Sequence, residues 1–131
     1  MGEPTHRFLL RHRQRLHGNR AFSAVFAAEL RKSMGPIVVC GRPNGMDYNR
    51  LGLSVPRRVG NAVVRAGIKR RLREAFRLGQ HDGPTGYDLV LVVRPHKRLA
   101  VTEYQTLIHN ALERIDKLAV RRAGEKNEAK P

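Results

Sequence analysis

The stretch Val63 to Arg77 reads VVRAGIKRRLREAFR and holds six Lys or Arg against one acidic residue, Glu74. Unrolled as a helix at about 100° per residue, Val64, Ile68, Leu72, Ala75 and Phe76 fall within an arc of about 120°. Lys69, Arg70, Arg73 and Arg77 fill the next arc, with Arg65 at its border and Arg71 beyond the far edge of the apolar stripe. Lys69/Arg73 and Arg73/Arg77 are like-charged i,i+4 pairs, each opposing the isolated helix by roughly 0.2–0.5 kcal/mol. An anion lying along that face relieves the repulsion. Guanidinium and ammonium groups so arranged hold phosphates in place and break no bonds, which makes a nucleic acid the leading partner. A merely solvated face and an acidic protein surface remain alternatives. A membrane surface fits less well, because the apolar stripe is needed for the core.

Residues for covalent chemistry are not arranged for it. Glu74, Asp82 and Asp88 share no spacing of paired catalytic carboxylates. Cys40 and the scattered His6, His12, His17, His81, His96 and His109 match no metal-ligand pattern. The Gly/Arg-rich segment 57–67 lacks the pattern of a nucleotide-phosphate loop. No catalytic or metal-binding side chain is expected, and the function read from the residues is binding. Phe22 and Phe26 are i,i+4 neighbours that either pack into a core or stack on unpaired bases, and Arg57 and Arg58 extend the basic surface.

Charge over the whole chain agrees with this. The 131 residues carry a formal charge of +15. Residues 50–77 hold nine Lys/Arg and one acidic residue, so their +8 is more than half of it. Concentration on one segment focuses potential on a surface instead of merely aiding solubility. The length suits one domain. A single cysteine in an apolar run points to a reducing compartment, and no segment has the length and apolarity of a membrane span; a cytoplasmic location is expected.

The elements that must position these groups follow from periodicity and turn chemistry. The first 17 residues are basic and polar, with mobility expected when free. Asn19 is a candidate cap for a helix carrying Phe22, Val25, Phe26 and Leu30, with a short strand conceivable near 31–36. PIVVC reads as a strand, GRPNGMDYN as a turn-rich connection, and Leu51, Leu53 and Val55 alternate as in a half-buried strand, so a hairpin or meander is expected across Asn44–Gly45. Pro56 closes that strand. Asn61 is a candidate cap for the basic helix, which runs to about Leu78. YDLVLVV, residues 87–93, reads as a central strand. Thr102 and Gln105 form a candidate capping box for a last helix with Tyr104, Leu107, Ile108, Ala111, Leu112 and Ile115 on its stripe, and the tail from Ala123 is expected to fray. The element order predicts an α/β sandwich, one mixed sheet packed with helices.

RLGLSVPRRVGNAVVRAGIKRRLREAFR, followed by GYDLVLVVRP, resembles the protein subunit of bacterial ribonuclease P across about residues 13–118. The resemblance implies an α+β fold with a left-handed βαβ crossover, and two partners: a catalytic RNA that performs magnesium-dependent hydrolysis, and a precursor tRNA whose 5′ leader is removed. It implies magnesium as the RNA's cofactor and no obligate protein partner. The family's basic motif, Arg-Asn-Arg-x-Lys-Arg, stands here as Arg65-Ala66-Gly67-Ile68-Lys69-Arg70. The first arginine and the Lys-Arg pair carry over; Ala66 replaces an amide within the positive arc, and Gly67 marks a lost peripheral guanidinium. Arg65, Lys69, Arg70, Arg73 and Arg77 are thereby expected at the catalytic RNA, and Phe22, Phe26, Arg57 and Arg58 at the leader. Cys40 stands where some relatives have a tyrosine facing the leader cleft. The expected organisation is a flexible basic segment 1–12, one RNA-binding domain 13–122 and a flexible tail 123–131. A general structural or ribosome-associated RNA-binding protein is the alternative the residues leave open.

Overall fold

The computed structural model describes residues 12–128; the expected mobility of residues 1–11 and of 129–131 lies outside them. Four strands form one mixed sheet: β1 (Leu30–Met34), β2 (Ile37–Pro43), β3 (Arg50–Ser54) and β4 (Tyr87–Val93), in the order β1-β2-β4-β3. Three helices pack on it: α1 (Asn19–Ala27), α2 (Ala62–Gly79) and α3 (Val101–Glu128). The central positions of β2 and β4 follow from composition. IVVCG and YDLVLVV are apolar at almost every position, as required of strands covered on both faces, while the polar positions of LRKSM and RLGLS fit edges.

β1 and β2 pair antiparallel, as do β2 and β4, whereas β3 runs parallel to β4. The expected hairpin across Asn44–Gly45 is therefore absent. The hairpin turns at Gly35–Pro36 between β1 and β2 instead, and the chain after Asn44 passes beyond β4 to reach the far edge. Asp88, buried in β4, holds that edge: it accepts from Arg50 Nε and Nη2, both at 2.7 Å, and from Asn44 Nδ2 at 2.9 Å. β3, α2 and β4 thus form a parallel crossover unit, as the sandwich expectation requires.

Ile37, Val39, Leu51, Leu89, Leu91 and Val93 turn to one face of the sheet and pack against Ile68, Leu72 and Phe76 of α2 and Tyr104, Ile108, Leu112 and Ile115 of α3. Val38, Cys40 and Val90 turn to the other, where Val25 of α1 and Leu16 cover them. Burial pushes the Cys40 thiol above its ordinary pKa, with Arg31 opposing weakly.

Four local expectations change. Leu30 belongs to β1 and not to the first helix, which stops at Ala27; Glu29 turns the chain with φ 55° and Leu30 enters the core from the sheet. Gly18, at φ 86°, precedes that helix without a side-chain cap, so Asn19 is its first residue. The last helix starts with the Ala100 N–H donating to Glu103 at 3.2 Å, not with a Thr102–Gln105 box. It also continues past Ala123 to Glu128, because Arg122 donates to the carbonyls of Ala28 and Glu29 at 3.0 and 2.9 Å and ties this end of α3 to the α1–β1 turn.

Candidate nucleic-acid interface

Helix α2 begins as its sequence indicates. Asn61 accepts from the Val64 N–H at 2.9 Å, satisfying a first-turn donor that has no partner within the helix. Gly60 fits there because a Cβ would lie 2.7 Å from Val64. Arg65 folds back and donates to the Gly60 carbonyl at 3.1 Å. Ile68, Leu72, Ala75 and Phe76 are buried, as the apolar arc requires, whereas Val64, expected in the same arc, is 39% exposed in the first turn. Ala66, Arg70 and Arg73 are exposed, and Arg65, Lys69 and Arg77 are half-buried. The expected positive face is therefore formed. Within it, Arg77 donates to Glu74 through two nitrogens at 2.9 and 2.5 Å, so its charge is locally offset and the Glu74 carboxyl is held below its ordinary pKa.

Two concave features adjoin this face. An open depression of about 450 Å³ is lined by Arg15, Ala66, Arg70, Arg73, Glu74 and Arg77. A narrower one of about 140 Å³ lies between α2, β3 and the start of α1; Arg15, His17, Phe22, Gly52, Lys69 and Arg73 are among its walls. It unites two groups that the sequence kept separate, since Lys69 and Arg73 are cationic α2 residues and Phe22 is one of the aromatic pair. Phe22 rests on β3 because residue 52 is glycine: a Cβ there would meet the ring at 2.6 Å. Phe26 lies edge-on to it, centroids 6.5 Å apart, and is 44% exposed. Phe22 thus packs on the sheet, and Phe26 offers a free aromatic surface. Arg57 and Arg58 are exposed on a short 3-10 turn, Arg57–Val59, at the exit of β3.

Sequence reasoning missed the segment His12 to His17, expected to be mobile. It docks on β3: the Leu16 N–H donates to the Leu51 carbonyl at 2.9 Å, Arg15 bridges Leu51, and Gln14 donates to Gln80 at 2.9 Å. Gln14 and Leu16 are buried while Arg13 and Arg15 are exposed, a period-two pattern that was readable in RQRL. Arg13 stacks on Tyr48, 4.5 Å from the ring centroid, and Arg15 enlarges the basic surface of α2.

Gly67 also departs from expectation. It is buried, and the guanidinium nitrogens nearest to its missing Cβ belong to Arg98 at 3.9 Å and Arg71 at 4.0 Å. The position is not an empty periphery but the floor beneath two arginines. Cys40 is enclosed under α1. Among the described residues no three His, Cys, Asp or Glu side chains cluster as metal ligands, and no helix is long and apolar enough to cross a membrane.

The ribonuclease P family model matches residues 10–116, spanning β1 to β4, the basic helix and half of α3. The chain belongs to the ribonuclease P protein family. The ribonuclease P protein component of Petrotoga mobilis is 37% identical over 108 residues, covering 81% of this chain and 92% of that protein. That of Thermotoga maritima is 39% identical over 88 residues, 67% of this chain and 74% of the relative. The solved RNase P protein from Thermotoga maritima superposes with a TM-score of 0.67 at 34% identity, covering 76% of this chain and 96% of that one. The Staphylococcus aureus RNase P protein gives 0.63 at 30%, with 81% and 94% covered. The function is accordingly that of the protein subunit in RNA-catalysed removal of the 5′ leader from precursor tRNA. The protein itself contributes no catalytic side chain to that reaction.

Proposed function

We propose that the α2 face contacts the catalytic RNA through Arg65, Lys69, Arg70, Arg73 and Arg77, while Phe22, Phe26, Arg57 and Arg58 receive the leader of precursor tRNA. The observation that carries this reading is the cavity shared by Lys69, Arg73 and Phe22. At that point one protein surface offers cations for a phosphate backbone and an aromatic wall for a base, so two RNA strands can lie side by side without the full repulsion of their phosphates. Arg77 contributes less than its neighbours because Glu74 already engages it. Phe22 is the aromatic wall within the cavity, and Phe26, edge-on to it and more exposed, extends that surface for stacking.

On this reading magnesium serves the catalytic RNA, which performs the hydrolysis, and the protein acts by holding substrate. The free Cys40 accords with a reducing, cytoplasmic setting. Reconstitution with the cognate ribonuclease P RNA tests the assignment. Precursor tRNA should bind the assembled enzyme more tightly than mature tRNA, and replacing Phe26 by alanine should reduce that preference with little change in the rate of bond cleavage at saturating substrate. A preference that survives loss of Phe26, Arg57 and Arg58 together would overturn the leader assignment.

A further inference from the structure

We infer that Arg71 and Arg98 form a two-guanidinium clamp for a single RNA backbone phosphate, seated over Gly67. This rests on the assignment of α2 to RNA and extends it around the helix, to the side facing the β4–α3 loop. The clamp joins two elements: Arg71 comes from the third turn of α2 and Arg98 from the connection between β4 and α3. Both guanidinium groups reach within 4.0 Å of the point where a Cβ of residue 67 would stand.

Such convergence of like charges is unfavourable by itself. Among the described residues neither arginine makes a hydrogen bond or ion pair with a carboxylate. The two carboxylates of these elements that stand nearest in sequence are engaged elsewhere, Glu74 with Arg77 and Glu103 with the Ala100 N–H. Lys97 and Arg94 in the same loop are exposed and add positive potential. The chemistry that satisfies two adjacent, unpaired guanidinium groups is an oxyanion with several acceptor oxygens, and a phosphodiester accepts from both forks at once. Gly67 takes part by lacking a side chain.

The test is equilibrium binding of the cognate ribonuclease P RNA across a salt series, with folding of each variant checked by thermal unfolding. A phosphate contact contributes close to one unit of slope in log K against log salt, which at 0.15 M corresponds to about fivefold in affinity. Arg71→Ala/Arg98→Ala together should weaken binding about fivefold and reduce the slope by about 1, since one phosphate is released, and each single change should give part of that loss. Arg98→Lys should keep the slope while losing part of the affinity. In the Arg98→Ala background, Gly67→Arg should restore both, because a Cβ at 67 meets only ordinary contacts. Unchanged affinity and slope in Arg71→Ala and Arg98→Ala, with Lys69→Ala/Arg70→Ala weakened, would overturn the clamp and leave the α2 interface standing. Unchanged binding in all of them would overturn the α2 assignment as well. A loss of affinity without a change in slope would mark a packing effect and overturn the clamp.

Discussion

Gly52→Ala tests the seat of Phe22, and with it the link between sheet and leader cleft. A Cβ at position 52 would stand 2.6 and 2.7 Å from two atoms of the Phe22 ring and 3.3 Å from the Cβ of Leu16. An ordinary carbon contact is about 3.5–4.0 Å, so the ring must retreat by roughly 1 Å. It is half-buried, between the depression it lines and its edge-on partner Phe26. Overpacking of this kind costs about 1–3 kcal/mol, and relief of a strand glycine's entropy returns about 0.5–1 kcal/mol. A net loss near 1 kcal/mol lowers Tm by about 4 °C in a domain of this size. In a Phe22→Leu background the two closest atoms are gone, and the same Gly52→Ala change should become neutral or stabilising. Chemical denaturation of the four proteins of this double-mutant cycle measures the coupling, expected at about 1–3 kcal/mol. The precursor-over-mature tRNA preference of the reconstituted enzyme should fall in Gly52→Ala alone. An identical stability cost with and without the Phe22 ring would refute the argument that glycine is required beneath it.

Replacing Lys69 and Arg70 together by alanine should reduce the salt dependence of RNA binding by about two units of slope, with far-ultraviolet circular dichroism unchanged. Arg50→Ala should cost more stability than Asp88→Asn, about 3–5 kcal/mol against less, measured by urea unfolding. The reason is that the carboxylate is the deeply buried partner, with side-chain exposure of 3% against 29% for the guanidinium, and losing Arg50 strands it. Tyr87 donates to Asp116 at 2.6 Å, and burial, then that bond, pushes its phenol above the ordinary 10.0. The unfolded chain therefore releases this proton first. The stabilisation is present in full below pH 10 and declines as pH rises above it, so the stability of the native protein should fall there more steeply than that of Tyr87→Phe.

The elements with a strong internal pattern were legible in the sequence. The period of α2, its Asn61 cap, the central strand β4 and the basic arc all depend on neighbours within a few residues, and the structure has them as read. Errors arose where a distant partner overrode local signals. Leu30 fits a helical period, yet β2 offers it a strand partner in Gly41. Asn44–Gly45 is hairpin chemistry, yet Asp88 draws Asn44 and Arg50 to opposite sides of a passage around β4. HRQRL, residues 12–16, has too little apolar surface to fold alone, and gains order because β3 has an unpaired edge and α2 leaves space beside it.

The division for the RNA surface has the same cause. Sequence by itself determined that the chain is strongly cationic, that α2 is apolar on one arc and basic on the next, and that it resembles the ribonuclease P protein, because charge and helical period are local quantities. Tertiary structure alone decided which cations meet. Arg15 comes to the α2 depression from the segment before α1, Phe22 joins Lys69 and Arg73 across β3, and Arg98 reaches over Gly67 from the β4–α3 loop. A glycine in a helix reads as a defect along the chain. In three dimensions Arg71, one turn further along the same helix, and Arg98, from the β4–α3 loop, both reach over it, and the second of these contacts has no period from which to be read.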